Sequence, residues 1–150
     1  MQSPIGQTLF PYFSNRFKLI GSDSAKKLSF KFSKFVFFIY FIISILTFIF
    51  SSQLVYIVSG QHYSYSIYDL KILSIVIVIG GLNYYFGILG LVSLGHNKYF
   101  SKSVIATGIF FILISLLLVP ILKDKGVSLA IVLSESLLLT FLFRYLIILK

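Results

Sequence analysis

Apolar residues run in four stretches long enough to cross a bilayer, at residues 35–58, 72–94, 103–122 and 127–149. A helix rises about 1.5 Å per residue, so 20 to 24 residues reach roughly 30–36 Å, the thickness of a hydrocarbon core. The first three stretches contain no charged side chain, and the fourth contains only Glu135 and Arg144. This pattern predicts an all-α membrane protein with four transmembrane helices. A shorter apolar piece, Met1–Phe13, has about half the length of a span and reads as a helix stump. Residues 1–34 therefore form a stump and a basic loop, and residues 35–150 form a four-helix transmembrane region. Lys alternates with Phe over SFKFSKFVFF, but an open strand cannot sit at a lipid surface. An interfacial helix entry is expected there.

Composition sharpens this reading. Hydrophobic residues make up 58% and charged residues 11% of the 150, against about 25% charge in soluble domains. No cysteine is present, which excludes disulfides and thiolate metal sites. The net charge of +9 is unevenly spread. Arg16, Lys18, Lys26, Lys27, Lys31, Lys34, Lys98, Lys102, Arg144 and Lys150 flank one side of the alternating spans, and Lys71, Lys123 and Lys125 the other. The positive-inside bias assigns the richer side, and with it the C-terminus, to the cytoplasm. The charge then answers anionic lipid headgroups, and nucleic acid is not an expected partner.

Function must be sought in the few polar residues within the spans. Glu135 sits about 12 Å into the last helix, where a charge costs roughly 2.5–3.5 kcal/mol. Fifteen Val, Leu, Ile and Phe residues in the same span, at about −0.3 to −0.6 kcal/mol each, outweigh that cost. The helix inserts, and Glu135 should face protein or a wet cavity. It is either a structural carboxyl hydrogen-bonded to a neighbouring helix or a group that handles substrate or protons. Arg144, nine residues further on, falls on the opposite face at about 100° per residue and can snorkel to the headgroups.

In the second span Gly80, Asn83, Gly87 and Gly90 share one face. Small residues allow close helix approach and Asn83 can hydrogen-bond across it; a stripe lining a transport cavity is the functional counterpart. Asn83 lies roughly 6–8 Å deeper than Glu135, within reach through a tilted helix or a water. His62 and His96 fall on opposite sides of the membrane and cannot share a metal. No catalytic constellation, metal set or cofactor motif is present, so no enzyme activity and no cofactor is expected. Pro120 is expected to close the third helix, and KDKG to turn it into the fourth.

Four segments carry a resemblance: PIGQTLFPYFS, SQLVYIVSGQHYSYSIYDLKILS, LNYYFGILGLVSLGHNKYFSKSV and KDKGVSLAIVLSE. In order and spacing they resemble the C-terminal part of polysaccharide (O-antigen type) flippases of the multidrug/oligosaccharidyl-lipid/polysaccharide exporter superfamily. The resemblance implies a twelve-helix transporter of the bacterial inner membrane, built as two bundles around a central cavity. It implies an undecaprenyl-pyrophosphate-linked oligosaccharide as cargo, an O-antigen or capsular repeat unit, moved by alternating access. It makes this chain a truncated or split flippase whose N-terminal half is a separate partner. The chain departs from the pattern by lacking the first bundle, and Arg144 is the only cation left to meet a pyrophosphate. Two other readings stand beside it: a self-sufficient four-helix exporter working as a homodimer, and a non-catalytic membrane assembly subunit.

Overall fold

The computed structural model describes residues 22–60 and 63–148, with side chains from Ser33 onward. Every regular element among them is helical. Helix α1 (Ser22–Ile49) leads into the short α2 (Ser51–Ser59), and α3 (Ser66–Tyr84) passes without a break into a π-helical segment, Tyr85–Val92. Helices α4 (Asn97–Leu122) and α5 (Asp124–Ile148) complete the chain. Three helices are long and apolar enough to cross a membrane, and a fourth is counted if the bent pair α1–α2 is one span. The apolar stump at Met1–Phe13 lies outside the described residues.

Two expected boundaries are corrected. The basic stretch read as loop up to Lys34 is helical from Ser22, so the Lys–Phe alternation runs along a helix. The span at 35–58 is not one straight helix, because the axis turns by 69° between residues 33–49 and 51–59. Phe50 leaves helical geometry at φ −89°, ψ 12°, just before the pair Ser51–Ser52. Serine pairs are among the places where helices kink. Backbone bonds from Phe50 N–H to the Leu46 carbonyl (2.9 Å) and from Leu54 N–H to the Phe50 carbonyl (2.9 Å) bridge the corner.

The long helices pack in the order α1, α3, α5, α4, each touching the next. Helix α3 is therefore central and α4 lies at the edge: 44% of the most apolar stretch of α3 with its π-helical extension is buried, against 6% of that of α4. In lipid no hydrophobic force drives helices together, so close approach and polar bonds decide the order. Between α1 and α3, Ser44 Oγ donates to the Ser74 carbonyl (2.6 Å), and Ser74 Oγ turns back to the Lys71 carbonyl (2.7 Å). A Cβ at Gly81 would fall into the ring of Tyr40, which lies directly on the α3 backbone.

At the hairpin, Pro120 stands two residues before the end of α4, and Lys123 takes a positive φ of 52°. Gly126 then presses on the α4 backbone, where a Cβ would come within about 2.6 Å of the Leu118 carbonyl oxygen. The apolar core lies at the other end of the bundle. Tyr85, Phe86, Leu89 and Leu91 of the π-helical segment pack against Leu142 and Leu146 of α5.

Candidate functional site

The middle of α5 carries the polar centre of the molecule. Asn83, one turn before the π-helical segment, is only 5% exposed. Its Nδ2 donates to Glu135 Oε2 at 2.6 Å and to the Glu135 backbone carbonyl at 2.9 Å. The expected depth difference closes to direct contact, with no water between them. An amide nitrogen that meets a backbone carbonyl fixes which way the amide points, since only nitrogen can donate. Asn83 Oδ1 is then buried without a partner among the described residues, an unusual state for a buried polar atom.

Glu135 is half-buried. Asn83 approaches it from the α3 side, and on the α4 side a groove of about 300 Å³ opens beside its carboxyl group. Val104, Thr107 and Gly108 of α4 and Ile131 and Ser134 of α5 line this groove with Glu135. The hydroxyls there are turned inward along their own helices. Thr107 Oγ1 donates to the Ser103 carbonyl (3.0 Å) and Ser134 Oγ to the Ile131 carbonyl (3.0 Å). Ser136, the other neighbour, bonds back to the Val132 carbonyl at 2.7 Å. The groove is thus apolar apart from one carboxyl group.

Arg144 stays apart from this centre. It is exposed on the last part of α5 and has no hydrogen bond to Glu135. The glycine face of α3 is redistributed. At Gly80 a Cβ would meet nothing within 4 Å, so the close helix approach expected there belongs to the next residue, Gly81. Gly87 lies under the ring of Phe100, and at Gly90 a Cβ would make ordinary contacts with the Tyr85 carbonyl (3.6 Å) and Leu146 (3.7 Å). The π-helical turn explains the change of face. Wider turns alter the rotation per residue, so a stripe laid out at 100° no longer lines up.

Two polar contacts were not legible beforehand. Asp69, read as a solvated loop residue, belongs to the first turn of α3 and accepts a hydrogen bond from Ser128 Oγ of α5 (3.0 Å). Close by, Lys125 Nζ lies 5.0 Å from the Tyr68 ring centroid, a cation–π distance. At the opposite end Tyr99 stacks on Tyr145 at 3.6 Å, and the Tyr145 hydroxyl meets His96 Nδ1 at 3.3 Å. The clues were spacing-independent: an Asp beside a helix start, and a His and Tyr near facing ends. Among the described residues no three His, Cys, Asp or Glu side chains gather as a metal site would require; His62 lies outside them. No protein-family model, curated protein or solved structure matches this chain.

Proposed function

We propose that the chain is part of a transporter that moves a lipid-linked oligosaccharide, an O-antigen or capsular repeat unit, across the bacterial inner membrane, with its C-terminus in the cytoplasm. The resemblance of the four quoted segments to polysaccharide flippases supplies the substrate class. The observation that carries a transport role is the Asn83–Glu135 pair (2.6 Å) beside an open groove. Intramembrane carboxyl groups are costly and are retained mainly on substrate, ion or proton paths. Here the carboxyl is held in place by one helix and left accessible to another, which suits a group that binds hydroxyl-rich cargo or passes a proton. Arg144, exposed near the end of α5, is placed to meet the pyrophosphate where it leaves the headgroup layer.

Glu135→Gln tests this, because glutamine keeps an acceptor for Asn83 and removes only the ionisable group. Cells carrying the variant should accumulate the lipid-linked repeat unit and lose surface polysaccharide at unchanged protein level. Undiminished export would leave Glu135 a structural residue and remove the support for the reading.

A further inference from the structure

We infer that the groove between α4 and α5 is the seat of a further transmembrane helix, from outside residues 22–148, which brings a hydrogen-bond donor to Glu135. The inference rests on reading the chain as part of a larger bundle and names the face on which that bundle closes. Glu135 is eleven residues from Asp124 and thirteen from Ile148, or roughly 16 and 20 Å from the two ends of its helix. That is the depth at which an unpaired polar atom costs most. Asn83 occupies Oε2, and among the described residues nothing donates to Oε1.

The possible coverings differ in what they offer. Lipid brings no donor. Water would find one carboxyl group in an otherwise apolar wall, because the Thr107 and Ser134 hydroxyls donate to their own helices, whereas a trapped water needs two to four polar partners. A second copy related by a two-fold axis along the membrane normal would place another Glu135 at the same depth, adding like charge. A helix with Arg, Lys, His, Asn or Gln at this level supplies what the carboxyl lacks. Gly108 makes room for it, being exposed with nothing within 4 Å of its Cβ position, and small residues are where transmembrane backbones meet.

The absence of cysteine makes single-site labelling clean. In native membranes, a spin label at Gly108→Cys should be shielded from both oxygen and a water-soluble nickel relaxant. The same label at Leu116→Cys, exposed on α4, should be open to oxygen. A photoreactive residue in place of Val104 should give an adduct whose peptide is an apolar span containing a donor side chain. Glu135→Leu should abolish that adduct and Glu135→Gln should retain it. Oxygen access at Gly108 equal to that at Leu116, access to the nickel relaxant, a self-adduct, or an adduct to a span without a donor would each overturn the inference. Should Gly108→Cys fail to accumulate, the Val104 adduct decides by itself. The adduct and polysaccharide export fail independently. An intact adduct with undiminished export in Glu135→Gln would sink the transport reading alone, and lost export with no adduct would sink the seat alone.

Discussion

The two faces of α5 are built on opposite plans. Towards α3 it is closed: Asn83 grips its midpoint, the aromatic and leucine core packs its far half, and Ser128 ties its beginning to Asp69. Towards α4 it is closed only at the hairpin, where Gly126 lies against the Leu118 backbone. Above that point a groove opens at the level of Glu135. The difference teaches that in an apolar bundle the finished contacts are those with a polar bond or a missing side chain. Apolar area alone leaves helices free to pack with lipid or with another helix.

Substitutions can break this comparison in a graded way. The largest effect is expected from Gly126→Ala, since the added methyl meets backbone that cannot rotate aside. About 3 kcal/mol of stability should be lost, read as a lowered unfolding midpoint in mild detergent. Gly81→Ala pushes on the Tyr40 ring instead, and side chains yield more than backbone. A loss of about 2 kcal/mol is expected, and Tyr40→Leu in the same chain should recover much of it; no recovery would mean that Gly81 is needed for another reason.

Asn83→Leu opens the closed face at its centre. Hydrogen bonds between transmembrane helices average about 0.6 and reach about 1.7 kcal/mol, so a loss of about 1 kcal/mol is expected. Combined with Glu135→Leu in a double-mutant cycle, the two changes should cost less than their sum, because each alone strands the other polar group. Strict additivity would show that the pair does not couple. The smallest effect belongs to Gly80→Ala. With open space at its Cβ position and a better helix former in place of glycine, stability should change by less than about 1 kcal/mol, towards greater stability. A Gly80 penalty as large as that of Gly81 would contradict the assigned packing.

Much of this was legible in the chain. Span lengths follow from apolar runs matched to bilayer thickness, and the placement of α3, α4 and α5 agrees with those runs at their cores. Asn83 and Glu135 stood out because polar groups are conspicuous among Val, Leu, Ile and Phe. Pro120 marked the close of α4 for a purely local reason, the lost N–H and the ring clash. What could not be read depends on neighbours. Which glycine of the adjacent pair Gly80–Gly81 meets another helix is decided by where Tyr40 sits, and Tyr40 is forty residues away. The corner at Phe50 and the π-helical run Tyr85–Val92 contain no proline to announce them.

The sequence by itself determined that several helices are long and apolar enough to span a membrane. It also singled out the two polar groups within them, because hydropathy, length and the cost of burying charge are additive along the chain. Only the tertiary structure decided that those groups touch, that α3 is central and α4 peripheral, and that one side of Glu135 is left open. Those outcomes turn on sub-ångström fit between helices, which an apolar run does not encode: to lipid, one leucine face is much like another.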